Sequence, residues 1–224
     1  MPSIEVAVFD AYGTVLDLHS AVESRAGRIG PDWQRFNADW RSKQLEYCWA
    51  RSLAGPAEHL DFAAVTEAAL RMAAHEHGIT DPTLLRDLLD GYGELAAYPD
   101  AAPALRALQA RGVGRAILSN GTPAMLARNI VSAGLTGLLD DVLSVESVGV
   151  YKPDPRVYRL AADRFRVAPC RVAFFSSNPW DAFGAACAGL SVFWVNRRNR
   201  PVEYGLDTRA TVIPGLSEIA ALLA

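Results

Sequence analysis

The 224-residue chain has little cysteine, little histidine and no large excess of either charge. Cys48, Cys170 and Cys187 are far apart, odd in number and without metal-ligand spacing. That argues against a disulfide framework or a zinc site and for a reducing cytoplasm. A net charge of −3 leaves no broad basic surface for nucleic acid. The one basic cluster, Arg197, Arg198 and Arg200, reads as a solvated loop. No apolar run approaches the ~20 residues of a membrane span. Met1 to Phe9 lacks the basic start and apolar stretch of a signal peptide. Gly-x-Ser-x-Gly is absent, as are a P-loop and a Gly-x-Gly-x-x-Gly after the first strand, which removes the usual serine-hydrolase, nucleotide and dinucleotide devices. His19, His59, His75 and His77 all fall away from strand ends and read as surface or cap residues.

What is present is an ordinary globular balance, 50% hydrophobic and 21% charged. The length suits one core domain with an insertion. A short β-branched run, Ile4 to Phe9, predicts a strand ending at Asp10-Ala11-Tyr12-Gly13-Thr14, where Gly13 permits a tight turn. Helical spacing follows over Phe36 to Leu53 and Ala63 to His77, and a third helix is expected from Asp81-Pro82 to Tyr92. From Tyr98-Pro99-Asp100 onward, strands and helices alternate. Strands are expected at Arg115 to Leu118, Val142 to Val145, Val172 to Phe175 and Val192 to Val195. Helices are expected at Ala101 to Arg111, Pro123 to Ala133, Pro155 to Phe165, Trp180 to Ala188 and Leu216 to Leu223. Pro201 to Ile213 is the loosest stretch. Alternation of this kind predicts an α/β fold with a Rossmann-like parallel sheet. Residues 1–15 and 99–224 form the expected core and residues 16–98 a helical cap.

Open parallel sheets bind ligands beyond the carboxyl ends of their strands. The first strand is followed by Asp10 and Thr14, the second by Ser119 and Asn120, the third by a loop bearing Lys152, and the fourth by Ser176, Ser177, Asn178 and Asp181. Each residue has a plainer explanation when taken alone. Asp10 is a turn former, Lys152 a loop lysine, Trp180 and Tyr158 core aromatics. Together they describe an active site built on a carboxylate nucleophile, a lysine and hydrogen-bond donors.

These strand-end residues resemble the four motifs of the haloacid dehalogenase superfamily, in order and over essentially the whole chain. Most members are phosphatases with a second aspartate two residues after the nucleophile; it acts as general acid, and its carbonyl helps hold Mg²⁺. Tyr12 stands there, and a phenol is a poor carboxylic acid at neutral pH. Asp10 to Thr14, Trp40 to Tyr47 and Ser176 to Asp181 instead resemble the L-2-haloacid dehalogenase branch, which uses no metal or other cofactor.

The resemblance implies that Asp10 displaces halide from a small 2-haloacid, such as 2-chloropropionate or a haloacetate, and that water cleaves the resulting ester. One inversion converts an (S)-2-haloacid to an (R)-2-hydroxyacid. Lys152 would favour ionised Asp10. Arg41, Asn120 and Trp180 would receive the halide, and Thr14 and Ser119 would bind the substrate carboxylate or orient Asp10. Ser176, Asn178 and Asp181 would position water, with Asp181 either its base or an anchor for Lys152. Tyr158 would lie at the site. Tyr12, Leu45 and Trp180 would line the alkyl pocket, whose size is affected by Ser42, where a larger polar residue is expected. A homodimer is also implied. The competing readings are a Mg²⁺-dependent phosphatase and a non-catalytic binding protein on the same fold.

Overall fold

The computed structural model of the chain describes residues 3–222. Six strands form one parallel sheet: β1 (Val6–Phe9), β2 (Gly114–Ser119), β3 (Asp141–Ser144), β4 (Val172–Ser176), β5 (Ser191–Val195) and β6 (Thr211–Ile213). Their order is β3-β2-β1-β4-β5-β6. β1 and β4 are buried along their whole length. Strands covered on both faces read as continuous apolar runs, as both do up to Ser176. The chain builds outward from β1 to β3, then returns to place β4 on the other side of β1. That reversal opens a crevice at the carboxyl ends of β1 and β4.

Register at the crevice is held by an aromatic ladder. Phe9, Phe175 and Phe193 are paired across β1, β4 and β5, and their rings stack at 4.9 and 4.7 Å. A one-residue slip would turn these rings to the opposite face. The ladder therefore sets Asp10, which follows Phe9, beside Ser176, which follows Phe175. The Asp10 amide donates to the Phe175 carbonyl at 2.9 Å.

Between β1 and α6 (Ala101–Ala110) lie α1 (Ser20–Glu23), α2 (Ala26–Ile29), α3 (Trp33–Ala54), α4 (Phe62–Glu76) and α5 (Pro82–Tyr92). Phe36, Trp40, Gln44 and Cys48 recur every fourth residue on α3 and are all buried. The periodicity predicts this helix and its buried Phe36, Trp40 and Cys48, but Leu45 and Trp49 are only half-buried, Leu53 faces solvent, and the helix begins about one turn earlier. Asp61 caps α4 by accepting from the Ala64 amide, and Asp81 caps α5 by accepting from the Thr83 amide, with Pro82 in its first turn. The same device opens α7 (Pro123–Ser132) and α8 (Pro155–Phe165), where Thr122 and Asp154 cap ahead of a first-turn proline. α9 (Pro179–Cys187), α10 (Leu206–Arg209) and α11 (Ile219–Leu222) complete the set.

The helical segment is tied over the strand ends by polar contacts. Glu146, just after β3, accepts from His59 Nε2 at 2.9 Å and from the Phe62 amide at 3.2 Å. The Tyr151 amide donates to Ser52 Oγ at 3.0 Å. Asn129 on α7 accepts from the Leu95 amide at 2.8 Å and donates to the Tyr92 carbonyl at 3.2 Å.

Several expectations need correction. β6 and α10 lie inside the stretch read as loosest; three residues are too few to display a period of two. β3 ends at Ser144, because Val145–Ser147 turns into a 3₁₀ helix. The expected last helix is a 3₁₀ turn, Leu216–Glu218, followed by α11; Leu223 lies outside the described residues. Arg197 does not belong to a free solvated loop. It donates to both Asp100 oxygens at 2.7 and 2.9 Å and to the Thr14 carbonyl at 3.0 Å, and its guanidinium lies 4.2 Å from the Tyr98 ring centre. It straps the loop after β5 to the turn after β1.

Candidate active site

Asp10 ends the central strand, and the chain turns sharply after it at Gly13, whose φ of +89° suits a residue without Cβ. The turn returns Thr14 toward Asp10. Thr14 Oγ1 donates to Asp10 Oδ2 at 3.1 Å and accepts from the Ser177 amide at 2.8 Å, so its hydroxyl direction is set. Asn178 precedes α9 at the capping position, yet its side chain does not cap the helix. Its Nδ2 donates instead to Asp10 Oδ2 at 2.8 Å and to the Tyr12 carbonyl at 3.1 Å.

Lys152 Nζ lies 3.0 Å from Asp10 Oδ1 and 3.0 Å from Asp181 Oδ2. The lysine is 1% exposed, and its ammonium also sits 4.9 Å from the Phe174 ring centre. Burial alone would lower its pKa, but the two facing carboxylates outweigh it and raise it. Asp181 is wholly buried, and burial raises its carboxyl against the opposing pull of Lys152. Lys152 is therefore held as an ammonium between the two carboxyl groups.

Asp181 has no oxygen to spare. Oδ2 accepts from Lys152 and from Ser176 Oγ at 2.8 Å; Oδ1 accepts from the Tyr158 hydroxyl at 2.8 Å. The fit around Tyr158 depends on Gly184, where an added Cβ would lie 2.5 Å from the tyrosine oxygen. Asp10, Thr14, Lys152, Ser176, Asn178, Asp181 and Tyr158 thus form one connected network, buried except at the half-buried Asn178.

Ser119 and Asn120 serve the loops around it. Ser119 Oγ accepts from the Gly121 amide at 3.1 Å. Asn120 Oδ1 accepts from the Lys152 amide at 3.0 Å and holds the lysine-bearing loop. Ser119 ends β2 and Asn120 follows it, in the turn that leads to α7.

Above this centre is a cavity of about 380 Å³ between the helical segment and the loops after β4 and β5. Arg41, Leu45, Ser42, Trp180 and Asn178 line it. Asn178 is the link, since the same amide reaches Asp10. Tyr12 does not border this cavity. It is buried against Tyr92 and Phe62 at 5.3 and 5.5 Å between ring centres. Burial, reinforced by Tyr92, raises the Tyr12 phenol well above its usual value, although Arg41 pulls it down.

Sequence reasoning missed Gln44, Tyr92, Asn37, His19, Arg198 and Arg200, which also line the cavity. His19, read as a surface or cap residue, is half-buried here between Asn37 and Arg198. Arg198 and Arg200, read as a solvated cluster, stand exposed at the mouth. Gln44 carried a signal: it is a polar residue on the apolar stripe of α3. The others come from the loop after β5 and from helices whose mutual placement no local pattern reports.

The centre can present an ionised carboxylate held by an ammonium, a hydroxyl and an amide. A divalent cation here would use oxygens of Asp10, Asp181 and the Tyr12 carbonyl. Lys152 and Asn178 already donate to these groups, so this donor set does not fit a divalent cation.

A family model described as haloacid dehalogenase-like hydrolase matches residues 4–189. (S)-2-haloacid dehalogenase 1 of Pseudomonas sp. (strain CBS-3) is 44% identical over 224 residues, covering 100% of this chain and 98% of the relative. (S)-2-haloacid dehalogenase 4A of Burkholderia cepacia is 42% identical over 223 residues, covering 99% and 96%. The structure of L-2-haloacid dehalogenase from Xanthobacter autotrophicus with chloropropionic acid covalently bound superposes with a TM-score of 0.86 at 34% identity, covering 98% of each chain.

Proposed function

The chain belongs to the haloacid dehalogenase-like hydrolases, and from that premise we propose that it hydrolyses small (S)-2-haloacids to (R)-2-hydroxyacids through an ester on Asp10. The observation that carries this reading is the pair of residues 10 and 12. Asp10 is a carboxyl group whose two oxygens accept from Lys152, Thr14 and Asn178. Tyr12, where a phosphatase of this family would hold its acid, is a buried phenol raised well above its usual pKa.

In this reading an Asp10 oxygen attacks C2 of the substrate from the side opposite the halogen. The new C–O bond forms as the carbon–halogen bond breaks, and the electron pair leaves with halide. Inversion at C2 follows from the back-side approach. Ser119, at the end of β2, holds the substrate carboxylate through its hydroxyl together with backbone amides of the turn leading to α7. Arg41 and Asn120 donate toward the halide, and the Trp180 ring edge faces it. Leu45 and Trp180 confine the alkyl group.

Water then adds to Cγ of Asp10. The Asp10 oxygen not bonded to the substrate becomes the oxyanion and meets donors already in place, Lys152 if it is Oδ1, Thr14 and Asn178 if it is Oδ2. The Cγ–O bond to the substrate breaks, one proton of the water passes to the leaving alkoxide and the other to solvent as Asp10 returns to a carboxylate, and the hydroxyacid leaves with an oxygen that began on Asp10. We assign Asp181, with both oxygens engaged, to anchoring Lys152. Ser176 and Tyr158 hold Asp181.

The test is halide release from each enantiomer of 2-chloropropionate in buffer without added metal. The expected result is release from the (S) form only, with (R)-lactate as product, and a single turnover in ¹⁸O-water that labels Asp10 before it labels product. Turnover of a phosphate ester with Mg²⁺ and none of either haloacid would overturn the reading.

Among the described residues, no helix is long and apolar enough to cross a membrane. We further propose a cytoplasmic homodimer acting on small haloacids without a metal or other cofactor. The exposed thiols Cys170 and Cys187 suit a reducing compartment. The solvent-facing Leu53 on α3, bordering a groove with Trp49 and Phe183, is the apolar cap face available for pairing. Sedimentation of the purified protein tests it.

A further inference from the structure

We propose that Gln44 is a positioning residue that aims the Arg41 guanidinium at the leaving halide and, being neutral, leaves its charge unquenched; this rests on the halide role of Arg41 proposed above. Gln44 is wholly buried on the apolar stripe of α3, between Trp40 and Cys48. An amide at such a position is retained at a desolvation cost unless each of its polar atoms is bonded. Here they are, and the bonds have a direction.

That direction starts at Thr66 on α4. The Thr66 hydroxyl donates to the Phe62 carbonyl at 2.6 Å, which commits its only proton. Toward Gln44 the same oxygen can then only accept, and Gln44 Nε2 donates to it at 2.6 Å. The amide is thereby oriented. Its carbonyl oxygen must point the other way, where it accepts from the Tyr92 hydroxyl at 3.0 Å and from Arg41 Nη1 at 2.5 Å. Trp40 Nε1 donates to the Thr66 carbonyl at 3.0 Å and ties α3 to α4 at the same level. A chain of fixed polarity thus runs from the backbone of α4 through Thr66 and Gln44 to Arg41.

The chemistry of the acceptor matters as much as its place. Among the described residues no carboxylate pairs with Arg41; its side chain meets the amide oxygen of Gln44 and, at 3.5 Å, the Tyr92 hydroxyl. A guanidinium has five N–H donors, so one bond to Gln44 leaves the others for an anion. A glutamate at position 44 would hold the group as firmly but would neutralise it, and a halide gaining charge in the transition state would meet an ion pair in place of a cation.

The experiment measures single-turnover halide release from (S)-2-chloro-, 2-bromo- and 2-iodopropionate, which isolates cleavage of the carbon–halogen bond from ester hydrolysis. The variants are Gln44→Glu, Gln44→Met and Tyr92→Phe, with Arg41→Lys as reference and circular dichroism as the folding control. Chloride, the poorest leaving group of the three, depends most on stabilisation of its developing charge. Gln44→Glu is expected to slow chloride release about tenfold more than iodide release, a ratio set by loss of transition-state charge stabilisation. Tyr92→Phe, which keeps the amide anchored through Thr66, is expected to widen the ratio less than Gln44→Met does. Equal slowing of all three halides in folded Gln44→Glu and Gln44→Met overturns the proposal, because a merely structural glutamine would act that way. The outcomes separate it from its premises. A wild-type protein that releases no halide removes the function itself. An Arg41→Lys variant without leaving-group dependence removes the role of Arg41, and such dependence in Arg41→Lys but not at Gln44 removes this inference alone.

Discussion

Lys152 has Asp10 and Asp181 within 3.0 Å and the Phe174 ring behind it, so this one ammonium compensates two buried carboxylates. Removing it in Lys152→Met leaves both carboxylates without their cation, and the expected loss of stability is about 3–5 kcal/mol, as for breaking other buried pairs. The pH dependence has a sign. Burial already makes Asp181 easier to protonate in the folded than in the unfolded chain, and losing Lys152 removes the charge that opposes this, so the variant should gain stability as pH falls toward the carboxylate range. In the wild type the raised Lys152 pKa means that its contribution is fully present below the unfolded lysine value of about 10.4 and is lost as pH rises through the folded value. Melting temperatures from pH 5 to 11 on both proteins check this, and parallel curves would contradict it. Asp10→Asn should leave the fold intact and lower turnover by on the order of 10³–10⁶-fold, the scale seen when a nucleophile is removed. Halide release by protein whose intact asparagine is verified by mass spectrometry decides it.

At the scale of elements, α9 shows how close packing shapes the site. Gly184 sits where α9 crosses α8, and an added Cβ would lie 2.5 Å from Tyr158 Oη and 2.7 Å from Pro153 Cβ. Alanine favours a helix by up to about 1 kcal/mol over glycine, but overpacking of this kind costs about 1–3 kcal/mol. Gly184→Ala is therefore expected to lower the melting temperature by several degrees and to slow turnover by pushing Tyr158 off Asp181. Adding Tyr158→Phe removes the clashing oxygen and should recover part of the lost stability. No recovery would mean that the Pro153 contact dominates.

For the molecule as a whole, charge is unevenly placed. The net charge is −3, yet Arg198 and Arg200 stand at the cavity mouth and Arg41 lies on its wall. A 2-haloacid is an anion at neutral pH, so these cations attract it and added salt screens the attraction. The kcat/KM for (S)-2-chloropropionate is expected to fall as ionic strength rises, mainly through KM. The double variant Arg198→Gln, Arg200→Gln should flatten that dependence with kcat little changed. A salt response identical to wild type would show that the mouth plays no part in capture.

Five of the six strands, and the chemical character of the groups at their ends, were legible in the order of residues. Short apolar strands separated by capped helices are local patterns, and each of the first five strands was legible from them. Asp10, Thr14, Ser119, Lys152 and Asp181 were legible because an open parallel sheet gathers whatever follows its strands. β6 escaped because three residues carry no period. Only the tertiary structure decided how these groups are wired. That Asn178 abandons its helix end for Asp10, that Asp181 spends both oxygens around Lys152, and that Tyr12 lies behind the cavity all depend on side chains from distant segments meeting in three dimensions. The same holds for the cap. Gln44 stands four residues from both Trp40 and Cys48, a signal the sequence reading passed over, and its bond to Arg41 depends on where α4 and α5 place Thr66 and Tyr92. Hydrogen bonds act over about 3 Å between groups far apart in the chain, so their partners are set by packing, which the order of residues does not state.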